Sequence, residues 1–438
     1  MASKTKPWRN WAGNQVCLPA ERAQPRSTDE VAGGVARAHA AGQRVKVFGA
    51  GHSFTAAACT DGVLLSLDHL DTVESVDRQH HRVTVGAGIR LHALNERLAE
   101  LGLAMPNLGD IAYQSIAGAI ATATHGTGAR LGNLATAVAG IELVTGTGEV
   151  IWCDEHVRRH LWTAARVGVG ALGIVTKVTL QCVPAFNLHA VETKEPLDDL
   201  IDNFDDEADG NDHFEFFWMP GARNCQVKRN NRTDRPEAPP SRVSYVREKI
   251  VGENLAFGLV NRVSRRSPTL APRVAKLVSA GVSERELIDR SYRVFASPRL
   301  VKFTEMEYGL PRAALPEALH RVRDVVARLG EPITFPVEVR VSAADDIPLS
   351  TAEGRDSAWL AFHVYQGTSH ESYFTGVEAI LDDYDARPHW GKLHTQNHRT
   401  LRPRYPRWDE FAAARAELDP DGTFRNAYVD RVLGPTGG

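Results

Sequence analysis

The part of the sequence with the clearest chemical signature is a glycine turn followed by a histidine. Residues 45–48 form a predicted buried strand that runs into Gly49, Ala50 and Gly51, as in RVKVFGAGHSFT. Such glycines let backbone N–H groups approach the phosphates of a nucleotide. The imidazole of His52 then needs a role of its own, since a backbone cradle requires no side chain. The dinucleotide fingerprint G-x-G-x-x-G fails here, because Phe54 takes its third glycine position and no clean helix follows.

Two later stretches are also rich in small residues. Residues 115–132 read SIAGAIATATHGTGARLG, and residues 166–176 read RVGVGALGIVT. The turn around His125 and Gly126 again places a histidine beside glycines, which tolerate a strained backbone conformation. A core helix of alanine and glycine could explain one stretch, but three of them favour a long, flat cofactor lying against the backbone.

Polar residues at every second position mark two further predicted strands. FPVEVRVSA carries Glu338 and Arg340, and AFHVYQG carries His363 and Tyr365. Residues two apart on a strand share one face of the sheet. On the pattern alone, a catalytic pair and an ordinary ion pair on a sheet surface are equally good interpretations of Glu338 and Arg340, and His363 could be a core histidine.

The segment RPHWGKLHT offers a lysine between two histidines. Lys392 is a candidate for stabilising negative charge, and His389 with His394 could suggest a metal pair. Neither a carboxylate nor a cysteine in this segment completes a credible ligand set, so the sequence predicts no metal.

The elements that must position these residues alternate along the first 185 residues. A capping box, Ser27 with Glu30, opens a predicted helix, and a Gly-Thr-Gly turn at 146–148 predicts a hairpin. From about residue 186 the chain becomes acidic, then aromatic, and a polar, proline-rich loop is predicted at 232–242. Mixed strands and helices without glycine turns then indicate a separate α+β domain.

Composition excludes several classes of protein. The 438 residues carry a formal net charge of −3, which argues against a nucleic-acid partner; the basic run at 246–268 is interpreted as a solvated helix face. Five widely spaced cysteines form no CxxC pair, which is typical of a reducing cytoplasm. With no apolar run of about 18 residues and no signal peptide, the sequence predicts a soluble, cytoplasmic protein.

Several motifs in order resemble the aldonolactone oxidoreductases, which are vanillyl-alcohol-oxidase-type flavoproteins. The resemblance rests on FGAGHSFTAAACTDGVLLSL, MPNLGDIAYQSIAGAIATATHGTG, GALGIVTKVTLQCVP, PHWGKLH and LDPDGTFRNAYVDRVLG, which span nearly the whole chain. It implies a two-domain α+β fold of that type. Residues 1–185 would bind FAD, residues 186–408 would form a substrate or cap domain with an antiparallel sheet, and residues 409–438 would return to the FAD-binding domain.

The resemblance also assigns roles to residues. It implies that His52 bonds covalently to the flavin, that Glu338, Arg340, Lys392 and His363 are catalytic, and that Asp110 and Tyr365 contact the substrate. A glycine at position 109 implies access of oxygen to the flavin. The implied cofactor-binding residues are Gly49, Ala50, Gly51, His52, Ser53, Phe54, Gly109, Ser115, Gly118, Thr122, Thr124, His125, Gly126, Gly173, Ile174 and Val175.

The implied reaction is FAD-dependent oxidation of the C2 secondary alcohol of an aldono-1,4-lactone, of the L-gulono or D-arabinono type. The product would be a 2-keto lactone or its ascorbate-type enediol, with electrons passing to O2 or another acceptor. Three alternatives stay open. They are an alditol, other sugar or specialised-pathway oxidase on the same fold, a flavin-binding protein without turnover, and, least favoured, an NAD dehydrogenase.

Overall fold

A computed structural model describes residues 6–239, 284–296, 301–329 and 333–435. The basic run at 246–268 lies outside this part of the chain. The predicted proline-rich loop lies partly inside it, and its residues 234–239 are exposed. Where the chain is described, no helix is long and apolar enough to cross a membrane.

The first half of the described chain forms four small sheets. Its strands are β1 (Trp8–Arg9), β2 (Val16–Cys17), β3 (Glu21–Ala23), β4 (Val45–Phe48), β5 (Val63–Ser66), β6 (Val73–Asp77), β7 (Arg82–Gly86), β8 (Leu103–Ala104), β9 (Val138–Val144), β10 (Val150–Asp154), β11 (Ile174–Gln181) and β12 (Val183–Pro184). Strands β3, β5 and β4 pair in parallel, whereas β10, β9, β11, β7 and β6 form an antiparallel sheet in that order.

The second half is built on one large sheet. Its strands are β13 (Asn187–Pro196), β14 (His213–Trp218), β15 (Asn224–Thr233), β16 (Arg285–Arg290), β17 (Phe303–Pro311), β18 (Val337–Ser342), β19 (Ser357–Tyr365) and β20 (Arg387–Pro388). They pair in the order β16-β13-β15-β14-β18-β19-β17-β20, and every described pairing is antiparallel. The antiparallel sheet expected in this half is confirmed, and we call it the cap sheet.

Helices pack on these sheets. They are α1 (Thr28–Ala40), α2 (Leu91–Glu100), α3 (Ile116–Ala121), α4 (Arg159–Ala165), α5 (Leu197–Asp202), α6 (Phe204–Gly210), α7 (Ser291–Phe295), α8 (Leu315–Leu329), α9 (Glu371–Asp382), α10 (His398–Leu401), α11 (Trp408–Leu418) and α12 (Ala427–Leu433). The α+β class is therefore confirmed.

Two local predictions from the sequence are confirmed. The Ser27 side chain accepts a hydrogen bond from the Glu30 N–H at 3.2 Å and caps α1. Strands β9 and β10 form the predicted hairpin, with Val144 opposite Val150 and with Gly148 at φ +92° in the turn between them.

The apolar side chains form two large cores. One extends from Val83 to Cys182 and also takes in side chains from 390–433, among them Trp390, Phe411 and Val429. The other lies on the cap sheet beneath α8 and α9. The boundaries at residues 185 and 408 stay predictions, although Trp390 already packs in the first core.

The end of the described chain closes over strand β4. The Val45 N–H donates to the Thr423 carbonyl at 2.9 Å, and the Lys46 ammonium donates to the Gly170 carbonyl at 2.8 Å and the Phe424 carbonyl at 3.2 Å. Burial lowers the pKa of Lys46 to about 7. These contacts fix the strand that leads into the glycine turn.

Candidate functional site

One face of the cap sheet gathers most of the predicted catalytic residues. Glu338 lies opposite Ala361, Arg340 opposite Trp359, and Glu305 opposite His363 in the strand register. Cross-strand partners share a face, so β17, β18 and β19 present these side chains together. The predicted residues Glu338, Arg340 and His363 are thus brought together by sheet pairing.

The Arg340 guanidinium forms the centre of a buried charge cluster. It contacts the Asp110 carboxylate at 2.9 Å, the Glu215 carboxylate at 2.8 Å, and the Glu338 carboxylate. Burial would lower the pKa of Arg340, but the three carboxylates outweigh burial and raise it well above its ordinary value. A guanidinium offers five donors spread over a planar fork and can reach carboxylates on several sides, whereas the three donors of a lysine all leave one nitrogen.

The Lys392 ammonium holds a second set of carboxylates on strand β17. It contacts Glu305 and lies 3.8 Å from Glu307, whose other oxygen is 3.0 Å from His125 Nε2. Burial lowers the pKa of Lys392, yet Glu305 and Glu307 outweigh it and raise that pKa. Burial on its own would raise the pKa of Glu307, but the charges of His125 and Lys392 outweigh burial and hold that pKa well below its ordinary value.

His363 lies between the two sets of charges. Its Nε2 is 3.6 Å from the Glu305 carboxylate and 4.0 Å from the Glu338 carboxylate, while its Nδ1 is 3.1 Å from the Pro336 carbonyl oxygen. A carbonyl only accepts, so Nδ1 carries a hydrogen, and the lone pair of the ring in its neutral form is on Nε2.

Sequence reasoning missed Glu305, Glu307 and Glu215. TEMEY places Glu305 and Glu307 two apart on one strand, which is the same signal that identified Glu338 and Arg340. Glu215 stands alone between phenylalanines, and only the pairing of β14 with β18 brings it to Arg340.

The predicted cofactor segments lie side by side. A Cβ added at Gly49 would be 2.2 Å from the Ser115 hydroxyl oxygen, so the first turn touches the start of α3 directly. Gly51, at φ +68°, adopts the left-handed conformation that glycine tolerates best. Asn10 donates to the Ser53 carbonyl and Gln15 to the Phe54 carbonyl, which ties the loop to the N-terminal strands.

His52 has the properties expected of a flavin-linking residue. Its Nδ1 is buried and has no hydrogen-bond partner in the part of the chain that the structure describes. Burial lowers its pKa to about 4, with added effects from the cations Lys392 and Arg90. A neutral imidazole with an unused buried nitrogen, close to Lys392, fits a group that would attach there. The residues present therefore fit FAD.

The other predicted cofactor residues make mainly local contacts. Ser115 accepts from the Gly118 N–H, Thr122 donates to the Gly118 carbonyl, and Thr124 accepts from Gln114. His125 stacks on Trp359 of the cap sheet with 3.7 Å between ring centroids. Gly173, Ile174 and Val175 lie at the start of β11, where Ile174 is buried in a third, smaller core. A flavin contact for each stays a prediction.

Phe54 and Tyr365 belong to an aromatic cluster beside the site. Phe54 is buried together with Ala12, Phe303 and Phe335, and Tyr365 packs against this cluster. The Phe54 ring also lies 5.4 Å from the Lys392 ammonium, in cation–π range. The cluster forms an apolar wall next to His363.

The two histidines considered for a metal act as neutral structural groups. His389 Nδ1 accepts from the Gly391 N–H at 3.0 Å, and His394 Nε2 is 3.4 Å from the Tyr428 hydroxyl. Burial lowers the pKa of both, that of His389 to about 3. Asp110, Glu215 and Glu338 do bring carboxylate oxygens within 4.8 Å of one another, but Arg340 contacts all three.

Gly109 is required by packing as well as by any role toward oxygen. A Cβ at this position would lie 2.9 Å from the His125 carbonyl oxygen, a contact that forces the backbone to move. We expect Gly109→Ala to lower the free energy of unfolding by about 1–3 kcal/mol, measured by denaturant titration. Gly33→Ala in α1 is the matched control, because its Cβ meets only the end of Arg37 at 3.5 Å. Equal stability of G109A and G33A would contradict this interpretation.

The chain is similar to known proteins along nearly its whole length. The sequence profile of the D-arabinono-1,4-lactone oxidase family matches residues 178–432, and that of an FAD binding domain matches residues 19–154. The chain is 48% identical over 431 residues to L-gulono-1,4-lactone dehydrogenase of Mycobacterium tuberculosis, covering 98% of this chain and 99% of that one. It is 33% identical over 435 residues to L-gulonolactone oxidase of Bos taurus, covering 97% and 98%.

Solved structures agree on the fold. A cholesterol oxidase from Brevibacterium sterolicum superposes with a TM-score of 0.81 at 20% sequence identity, covering 98% of this chain and 96% of that one. At this identity the likeness concerns the two-domain FAD-binding architecture alone.

Proposed function

We propose, from the premise that this chain belongs to the D-arabinono-1,4-lactone oxidase family of FAD-linked oxidoreductases, that it oxidises the C2 hydroxyl of an aldono-1,4-lactone to the 2-keto lactone. The substrate is of the L-gulono or D-arabinono type. The observation that carries the proposal is the cluster of buried Glu338, Arg340 and His363 on one sheet face, with the half-buried Lys392 against Glu305 beside them. We also propose that it acts in the cytoplasm, where its five free thiols stay reduced.

In the proposed site, alcohol oxidation requires a hydride acceptor, side chains that orient the lactone and cations that stabilise negative charge. The loop at residues 49–54 would hold FAD, with His52 as the proposed point of covalent attachment, and the bound flavin would supply the hydride acceptor for the oxidation at C2. Arg340 and Glu338 orient the lactone hydroxyls by hydrogen bonds. Arg340 and Lys392, both cations, stabilise the negative charge that builds up during transfer. Asp110, next to Gly109, adds a carboxylate that would contact a further hydroxyl.

His363 is the proposed base for the hydroxyl proton. The Pro336 carbonyl fixes its tautomer, so that Nε2 is the acceptor and lies among the carboxylates that would stabilise the imidazolium formed. Tyr365, two residues along the same strand, limits the space beside it.

Replacing His363 by asparagine should lower kcat by about 10²–10⁴-fold, as expected for loss of a general base. Flavin content should be unchanged, and the rising limb of the kcat/KM pH profile should disappear. Steady-state kinetics from pH 5 to 9 measure both effects. Added imidazole should partly restore turnover in His363→Ala; a variant with native kcat and an unaltered profile would remove His363 from the mechanism.

Anaerobic reduction tests the proposed function itself. Adding L-gulono-1,4-lactone to the purified yellow protein should bleach the flavin absorbance, whereas xylitol should not do so at the same concentration. Rapid recovery of colour in air would identify O2 as the electron acceptor, and recovery only with a dye or quinone would identify a dehydrogenase. Failure of all aldonolactones to bleach the flavin would overturn the proposal.

A further inference from the structure

The cap sheet carries a row of side chains with alternating charge that leads to Arg340. Strand register places Arg285 opposite Glu192, Glu192 opposite Lys228, and Lys228 opposite Glu215. The row thus runs from β16 at the sheet edge across β13, β15 and β14. Glu215 then contacts Arg340 on the next strand at 2.8 Å.

Neighbouring charges in this row bind one another. Arg285 contacts Glu192, and the Lys228 ammonium lies 3.2 Å from the Glu215 carboxylate. Glu192 also accepts from the Gln226 amide at 2.7 Å. Each charge is thereby compensated and held in place, so the row presents fixed donors and acceptors with little net charge.

The row forms one wall of a cavity of about 390 Å3, within the range of roughly 300–1,000 Å3 typical of small-molecule sites. His92 and Asn95 of α2 also line it, and Tyr292 and Phe295 add aromatic surface. The cavity reaches Asp110 and Arg340, so it adjoins the lactone cluster at these two residues. Glu338, His363 and Lys392 are not among its described lining residues.

The chemistry of this wall favours a neutral polyhydroxylated ligand. An anion would meet Glu192, Glu215 and Asp110, and a cation would meet the basic members of the row. A hydroxyl both donates and accepts, so it can bridge an adjacent carboxylate and ammonium without disrupting either. Aromatic side chains with satisfied polar groups complete the surface that a sugar ring requires.

We propose that this cavity binds a second sugar ring, so that the enzyme accepts aldonolactones bearing a glycosidically linked sugar on the lactone side chain. The inference rests on the proposed function, because the lactone itself would occupy the Arg340 cluster. The linked ring would extend from Arg340 along the charged row towards Arg285.

The test compares two substrates in the FAD-loaded enzyme. L-Gulono-1,4-lactone and its derivative with glucose on O6 should be oxidised with kcat/KM values within about tenfold of each other. Leu287→Trp, at the outer end of the cavity, should lower kcat/KM for the glucosyl derivative by about tenfold or more relative to the simple lactone. Leu287→Ala is the matched control and should leave the ratio near the native value. Lys228→Met should also lower the ratio, through loss of a donor to the linked ring.

Three results would overturn the inference. The first is a native enzyme whose kcat/KM for the glucosyl derivative is more than about a hundredfold below that for the simple lactone. The second is a Leu287→Trp variant that lowers kcat/KM for both substrates equally, and the third is a Lys228→Met variant with an unchanged ratio. If neither lactone reduces the flavin, the proposed function fails instead, which is a separate and recognisable outcome.

Discussion

Replacing Arg340 by lysine will lower kcat for lactone oxidation by about 10²–10³-fold, the usual effect of losing one preorganised donor at developing charge. Lysine keeps the positive charge but cannot reach Asp110, Glu215 and Glu338 at once, as the guanidinium does. The protein should stay folded and yellow, so the loss is kinetic. Stopped-flow reduction of the flavin by lactone isolates the affected step.

Removing the charge altogether should affect folding as well. In Arg340→Met the carboxylates of Asp110, Glu215 and Glu338 lose the cation that contacts all three, and the free energy of unfolding should fall by about 3–5 kcal/mol. Denaturant titration of the native enzyme and of the variant measures this change. A variant as stable as the native protein would refute the stabilising role of Arg340 in the cluster.

The second large effect concerns His52. In the native protein the flavin colour should stay with the acid-precipitated protein, and in His52→Ala it should pass completely into the supernatant as free FAD. The pKa of about 4 leaves the imidazole neutral and nucleophilic at neutral pH, and its buried Nδ1 is without a partner in the described chain. Absorbance at the flavin maximum in both fractions gives the result.

His80→Ala is a suitable control for the His52 experiment. His80 lies on an exposed turn, where its ring nitrogen is 2.8 Å from the Asp77 carboxylate. Unlike His52, it is largely exposed to solvent. Its removal should leave the colour with the protein. If the colour of the native protein passes into the supernatant, FAD remains the proposed cofactor but the proposed covalent bond to His52 is contradicted.

Local patterns in the sequence were sufficient for local structure. Ser27 and Glu30 predicted the start of α1, and the glycine turn at Gly148 predicted the β9–β10 hairpin. The alternation of Glu338 with Arg340 likewise predicted a strand, which the structure forms as β18. In each case the interacting residues are close in sequence, so propensity and periodicity carry the information.

Which of these residues contact one another could not be predicted in the same way. Glu215 contacts Arg340 because β14 pairs with β18, and Glu305 lies opposite His363 because β17 pairs with β19. Strand order depends on long-range pairing that no single segment encodes. Likewise, the sequence linked Gly109 only to oxygen access, but a Cβ there would lie 2.9 Å from the His125 carbonyl oxygen, so packing also favours glycine.

The contacts between β4 and the end of the described chain determine when, during synthesis, this strand can gain all its hydrogen-bond partners. Strand β4 and the glycine turn are complete once about 55 residues exist, yet Val45 and Lys46 take hydrogen-bond partners from Thr423 and Phe424. At the usual translation rate of roughly 5–20 residues per second, those partners follow tens of seconds later. A ribosome therefore makes the segment around Thr423 and Phe424 well after β4, and only then can β4 gain these hydrogen bonds. We expect a product that terminates before this segment to hold the glycine turn, the predicted FAD-binding loop, less firmly.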